Sequence, residues 1–270
     1  MESFDQVQKD YDDQAGTYAA YTTKPYGILE TQLMRSALGD CTGARVLDLG
    51  GGTGIRARQA LDLGAASVDV VDLSPGMVQV GEKKKKEEEE EEEEEEAVEG
   101  RDDTIRWFTA DVSKSLEHLK LRDAYDLVMA NWVFDHARSV DELEGMWRNV
   151  AARLRPGGRF VGIRACDPRR PAFGNGEARY GVTYKDFVEI PGGLRFRYIL
   201  HSDPPIEFEA ASMEVSYSGS TEMHEKFGLC DVQVEPYGSA EIVGEDPEYW
   251  ALFLEAPPMA VVKARKKTAG

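Results

Sequence analysis

The segment Val46-Leu47-Asp48-Leu49-Gly50-Gly51-Gly52-Thr53-Gly54 sets a carboxylate near the end of an apolar run and follows it at once with a glycine loop. Glycines let a ligand touch the backbone and allow unusual φ, and a helix starting after them offers unpaired N–H groups. In an open parallel sheet such a loop lies at the carboxyl ends of the strands, where ligands bind. Alone, it is equally a tight strand-to-helix turn. Asp72 closes the next apolar run, Ser67 to Val71, about twenty residues past the glycines, where a carboxylate can accept both hydroxyls of a ribose. Asp111, in Ala110-Asp111-Val112 behind Ile105 to Thr109, is placed to accept from an adenine amino group, with Val112, Leu73 and Met77 available to sandwich the ring. For Asp111 by itself, a helix cap is the competing reading.

A second group of residues bears on proton transfer. His136 ends Asn131-Trp132-Val133-Phe134-Asp135-His136, and an imidazole titrates usefully near neutral pH, which makes it the best general-base candidate. The plainer reading is a pocket wall. Asp135 could orient it or cap the next turn. Tyr18 and Tyr11 could close over a cofactor from the N-terminal region, or merely pack there. His118, His201 and His224 lack any partner pattern, and no metal is expected. Cys41, Cys166 and Cys230 are too dispersed for a metal knuckle and too few for a disulfide framework, so reduced structural thiols are expected.

Taken in order, Asp48-x-Gly50-x-Gly52-x-Gly54, Asp72-Leu73-Ser74-Pro75, Ala110-Asp111 and Leu154-Arg155-Pro156-Gly157-Gly158 resemble the class I S-adenosylmethionine-dependent methyltransferases. The likeness covers residues 40–166 well, the last strands loosely, and the N-terminus and the stretch after Cys166 hardly at all. It implies that Asp48 with Gly50, Gly51, Gly52 and Gly54 holds the methionine end of the cofactor and Asp72 its ribose. It further implies that Asp111 and Val112 meet the adenine, and that Asn131 lines the sulfonium region. Gly52-x-Gly54-x-x-Ala57 also satisfies a loose dinucleotide fingerprint, with Asp72 then on the ribose of NAD. Asp48, Asp111 and Leu-Arg-Pro-Gly-Gly, which a dinucleotide does not need, argue against that rival, as does the lack of a dehydrogenase-like Tyr and Lys pair.

The elements that must hold these residues follow from periodicity and punctuation. Arg45 to Leu49, Ser67 to Val71, Ile105 to Thr109, Tyr125 to Ala130 and Arg159 to Ala165 read as strands. They alternate with helices at about Ile55 to Leu63, after Ser74-Pro75, and along the Leu143, Met146, Trp147, Val150, Leu154 stripe behind a Ser139/Glu142 capping box. Pro156-Gly157-Gly158 is expected to stop the last of these. Such alternation predicts an α/β fold, a doubly wound, mostly parallel sheet of seven strands of the Rossmann-like methyltransferase kind. Beyond Cys166, Tyr180 to Ile190 and Leu194 to Leu200 around Pro191-Gly192-Gly193, with Ile206 to Val215, read as an inserted antiparallel cap. The core then resumes with a helix near Thr221 to Phe227, a strand Asp231 to Pro236, a helix Glu248 to Leu254 and a strand Met259 to Ala264. The expected divisions are 1–40 N-terminal helices, 41–166 cofactor core with a charged insertion at 82–104, 167–215 cap, and 216–266 completion of the sheet.

Length and composition set the limits. A chain of 270 residues can bury about three-quarters of its surface, and 41% hydrophobic content fits an ordinary globular protein. Lys83 to Lys86 followed by Glu87 to Glu96 contributes −6 of the net −18, leaving −12 on the rest. That excess repels phosphate backbones, so a nucleic-acid partner is not expected. The charged tract reads as a solvated insertion, able to form an exposed helix. The polar start MESFDQVQKD and the absence of a run of about 20 apolar residues predict a cytoplasmic protein with no membrane association. After the fourth strand stands Asn131-Trp132-Val133-Phe134 rather than the Asn-Pro-Pro-aromatic pattern of enzymes that methylate nucleic-acid bases. Together with aromatics at Phe173, Tyr180, Tyr184, Phe187, Phe196 and Tyr198, this predicts a small-molecule acceptor, methylated at O or N by in-line displacement. The alternatives are a protein or nucleic-acid methyltransferase, an NAD(P)-dependent oxidoreductase, and a cofactor-binding fold put to a non-methylating use.

Overall fold

The short apolar runs become strands because helices cover both faces of the sheet they form, which lets them be hydrophobic throughout. In the computed structural model, which describes residues 4–16, 18–95, 104–174 and 178–268, they are β1 (Arg45–Leu49), β2 (Ser67–Asp72), β3 (Ile105–Thr109), β4 (Tyr125–Asn131) and β5 (Leu154–Ala165). They join β9 (Leu229–Val234) and β10 (Met259–Lys266) in a seven-stranded sheet of order β3-β2-β1-β4-β5-β10-β9. The first five pair in parallel; β10 runs antiparallel to both β5 and β9. The order turns back between β1 and β4, and the carboxyl ends of β1, β2 and β4 therefore converge on one crevice, the switch point of a doubly wound sheet.

Helices α3 (Ile55–Asp62), α4 (Pro75–Glu95) and α5 (Val140–Arg153) connect these strands. Local chemistry sets their starts. The Ser74 hydroxyl accepts from the Met77 N–H at 3.0 Å, directly before Pro75. Ser139 Oγ accepts from the Glu142 N–H at 3.2 Å, and Glu142 Oε2 reaches back to the Arg138 N–H at 2.9 Å, one residue earlier than a standard capping box. α5 ends at Arg153, so Leu154 already belongs to β5 and Pro156-Gly157-Gly158 lies inside that strand rather than acting as the stop. The lysines and the glutamates through Glu95 continue α4; residues 96–103 of the tract lie outside the described part.

A second sheet of β6 (Val182–Ile190), β7 (Gly193–Leu200) and β8 (Ile206–Met213) is wholly antiparallel. Short α6 (Pro171–Gly174) precedes it, and α7 (Glu214–Tyr217), α8 (Glu222–Lys226), α9 (Glu241–Glu245) and α10 (Pro247–Glu255) complete the chain. At the N-terminus, α1 (Phe4–Gln14), a 3-10 turn (Tyr18–Thr23) and α2 (Pro25–Leu38) pack against the open end of the crevice. α1 is tied down on two sides. Asp12 Oδ1 accepts from Ser74 Oγ at 2.6 Å and from the Gly76 N–H at 2.8 Å, while the Gln14 amide donates to the Glu207 carbonyl on β8 at 3.2 Å. Among the described residues no helix is long and apolar enough to cross a membrane.

Candidate functional site

The glycine loop between β1 and α3 needs backbone that side chains resist: Gly50, Gly52 and Gly54 all hold positive φ, and a Cβ on Gly51 would come within 2.6 Å of Asp48 Oδ2. Asp72, at the end of β2, fixes the loop by accepting from the Gly52 N–H at 2.8 Å and, on its other oxygen, from the Ser74 N–H at 2.9 Å. Asp48 is fully buried, and its carboxylate faces the Asn131 amide without closing a hydrogen bond of normal geometry; the Asn131 amide itself is unpartnered. Burial first, then the neighbouring Asp72 charge, pushes the Asp48 carboxyl up to about 7. Buried groups left in this state are the mark of a site that expects a polar ligand.

These groups line one cavity of about 120 Å³, together with Asp111, Leu73, Met77, Val112, Tyr18 and His136. Of the cofactor-binding and proton-transfer candidates, all lie in its wall except Gly54 and Asp135; of the six aromatics expected to enclose the acceptor, none does. Gly54 instead starts α3 and backs onto Trp107 and Arg58, so its part is to shape the loop. Asp111 also accepts from the Ser113 N–H at 2.8 Å, so the competing turn-making reading describes one of its oxygens.

A second, smaller cavity of about 30 Å³ lies under the antiparallel sheet and shares Tyr18, Tyr21, Glu30, Trp132 and His136 with the first. Its remaining wall is Tyr26, Tyr184, Phe196, Tyr198 and aliphatic side chains, with Asp135. Trp132 divides the two. It holds a left-handed φ of 62°, uncommon for a bulky residue, and its indole N–H donates to Glu30 Oε2 at 3.0 Å. Glu30, 2% exposed, also meets Arg56 and accepts from Tyr21. That buried ion pair clamps α2 to α3 behind the glycine loop and fixes the indole.

His136 stands in the shared wall. Its Nε2 bonds the Tyr11 hydroxyl at 3.0 Å, and Tyr11 in turn bonds the Tyr198 hydroxyl at 2.7 Å. Its Nδ1 is buried without a partner. Burial, with the Arg138 charge adding to it, pulls the imidazole down to about 4, so the ring is neutral at pH 7. Asp135 does not orient it: its carboxylate accepts from Ser212 Oγ at 2.6 Å and from the Ala165 N–H at 2.9 Å, joining β5 to β8. Among the described residues no cluster of His, Cys, Asp and Glu could hold a metal, and His224 is packed on Trp147 with ring centres 4.5 Å apart.

Residues 47–162 match the family described as Methyltransferase domain, a span that runs from β1 through the crevice into β5 and takes in the glycine loop, Asp72, Asp111 and Asn131. Over that span the chain carries the methyltransferase domain found in S-adenosylmethionine-dependent enzymes. Their cofactor is S-adenosylmethionine, and the unpartnered Asp48 and Asn131 beside a glycine-lined crevice suit its charged, polar methionine end. A curated relative, squalestatin tetraketide synthase clz2 of Cochliobolus lunatus, is 30% identical over 138 residues, 48% of this chain; the chain spans only 5% of that protein's length. The structure of a Burkholderia thailandensis 1,6-didemethyltoxoflavin-N1-methyltransferase, solved with its acceptor and S-adenosylhomocysteine, matches at 16% identity and a TM-score of 0.53 over 97% of this chain and 88% of that one. The [4+2]-cyclase SpnF matches at 16% identity and a TM-score of 0.59 over 99% and 98%. Likeness at that level shows a shared fold.

Sequence reasoning missed Glu30 and Arg56, and gave Tyr198 only as one of several aromatics. Glu30 left one signal, a lone carboxylate between the apolar Leu29 and Leu33 of a helix, which burial makes costly unless it is paired. Tyr198 left none, because its neighbours are set by how the second sheet docks.

Proposed function

We propose that this methyltransferase transfers the methyl group of S-adenosylmethionine to a small, largely apolar or planar molecule, at oxygen or nitrogen, by in-line displacement. The observation that carries this is the aromatic cavity sharing Tyr18, Trp132 and His136 with the glycine-lined one, which supports an acceptor site beside the cofactor site. In this reading Asp48 and Gly50, Gly51 and Gly52 hold the methionine end, with Gly54 shaping the loop. Asp72 takes the ribose hydroxyls, Asp111 and Val112 the adenine between Leu73 and Met77, and Asn131 borders the sulfonium. Tyr18 and His136 face the reacting atoms. The bound cofactor supplies a methyl carbon already activated by positive sulfur, so the protein's share is alignment. Holding nucleophile and methyl near contact on one line is worth on the order of 7 to 11 kcal/mol. Residues 41–166 with 216–266 then form the cofactor core, while 167–215 and the N-terminal helices of 1–40 form the acceptor cap.

The enclosed aromatic wall supports a small acceptor over a peptide or a nucleic acid, and the toxoflavin enzyme and the polyketide synthase are relatives whose names point to small-molecule chemistry. A second reading, a rearrangement without methyl transfer, draws on the cyclase that shares this fold over nearly its whole length. Calorimetric titration with S-adenosylmethionine, S-adenosylhomocysteine, NAD and NADP should give micromolar binding of the first two alone. Label transfer from methyl-labelled cofactor should then occur to members of a panel of phenols, amines and heterocycles. Transfer only to peptides, histones or nucleic acid would overturn the reading, and cofactor binding with no label transferred to any acceptor would favour the rearrangement.

A further inference from the structure

Resting on that reading, we propose that the acceptor is methylated at an uncharged amine nitrogen, one that carries both a hydrogen and a free lone pair, and that the Tyr198 hydroxyl orients it. Three observations carry this.

The hydroxyls of Tyr198 and Tyr11 and the His136 ring form a chain through the wall between the cavities: Tyr198 lines only the aromatic one, Tyr11 only the cofactor one, and His136 both. A nitrogen bearing hydrogen can donate to the Tyr198 oxygen and turn its lone pair toward the cofactor side.

The ring that would act as base is poorly equipped for it. Its Nε2 is engaged by Tyr11, its Nδ1 is buried without a partner, and Asp135, the adjacent carboxylate, is bonded to Ser212 and the Ala165 N–H instead. The His–carboxylate pairing that strengthens a base is thus missing. An alcohol, phenol, thiol or carbon acid has a proton that must leave before or during attack; an amine nitrogen does not.

The walls do not welcome an acceptor that arrives as an anion. Glu30 and Asp135 border the aromatic cavity, and Asp48 and Asp72 lie beyond the shared wall. Arg56 is paired with Glu30 and Arg138 with Glu209, and no Lys or Arg among the described residues lines the aromatic cavity. A carboxylate or phenolate would lose its hydration there with no counter-charge. A neutral nitrogen meets neither obstacle. Its lone pair makes the new N–C bond as the C–S bond breaks and that electron pair stays on sulfur; the product ammonium then gives its proton to water.

Three probes that share one planar body test this: 2-naphthylamine, 2-naphthol and 2-naphthoate. Calorimetry on the full chain with S-adenosylhomocysteine should show amine and naphthol binding within about tenfold of one another, and naphthoate at least about a hundredfold weaker. With S-adenosylmethionine, mass spectrometry should find the amine methylated about a hundredfold faster than the naphthol. Tyr198→Phe should weaken amine binding, raise its KM by about tenfold and lower kcat as the lone pair loses its aim, while leaving S-adenosylhomocysteine affinity unchanged. Naphthoate bound as tightly as the amine, naphthol methylated as fast, or an unchanged KM in Tyr198→Phe would overturn the nitrogen assignment while leaving small-molecule transfer standing. Cofactor binding without methylation of any probe, or of a wider set of aryl amines and phenols, would sink both.

Discussion

The two cavities that meet at Trp132 are built in opposite ways. The cofactor side is made of carboxylates and glycines at the ends of adjacent parallel strands; Asp72 and Asp111 are held by nearby backbone N–H groups, while Asp48 is left without a partner. The acceptor side is made of aromatic rings brought from far apart in the chain; Tyr11 and Tyr198, in hydrogen-bond contact, are 187 residues apart. One wall is rigid, charged and suited to a constant ligand. The other owes its shape to ring packing, which can be altered by substitution without touching the strands.

That contrast can be tested by injuring one side at a time. Phe196→Ala removes a ring 2% exposed that packs on Tyr184 at 5.0 Å, and should cost about 3 to 5 kcal/mol of stability in urea unfolding. Acceptor affinity should fall with it while the cofactor affinity of the folded protein holds. Asp48→Asn should do the reverse. It should weaken S-adenosylmethionine binding by about 2 to 3 kcal/mol, measured by calorimetry, through loss of a charged partner. It should also stabilise the empty protein above neutral pH. The Asp48 carboxyl stands at about 7 when folded against about 3.9 unfolded, so its contribution is fully present below about pH 4 and lost as pH rises through 7, a change on the order of 4 kcal/mol that the amide escapes. Thermal melts of both proteins at pH 5 and pH 8 check the sign.

Asp72→Ala removes the acceptor of two backbone N–H groups and the proposed ribose partner, and should weaken cofactor binding by about 1.5 to 3 kcal/mol; an unchanged dissociation constant contradicts the assigned role. The smallest of these effects is pH dependence in the native protein. Asp48 must be ionised to hold a cationic amino group, so cofactor affinity should rise about 25-fold between pH 5.5 and pH 7.5, with proton release on binding. Acceptor binding measured over the same range should show no such slope if the two walls are electrostatically separate.

The same contrast explains how far the sequence could be read. β1 and β3 are short apolar runs closed by turn residues, and the Ser74-Pro75 helix start rests on bonds within a few residues, so their positions could be read even though the strands pair with partners far along the chain. Asp48, Asp72, Asp111 and Asn131 could be placed at one end of the sheet because each lies at or just past the carboxyl end of a parallel strand. Glu30, Arg56 and the Tyr11–Tyr198 contact could not, since each depends on how separate layers dock. The end of α5 was misplaced for a related reason: Leu154 fits the apolar stripe of the helix, yet it pairs with Tyr125 as the first residue of β5.

The double anchorage of α1 ties the two walls to one element. One side chain of this helix caps the turn after Asp72 through Ser74 and Gly76, and another bonds the acceptor sheet at the Glu207 carbonyl. Any displacement of α1 as one body therefore breaks contacts with both walls at once, so the cofactor crevice and the acceptor sheet share a single mechanical brace.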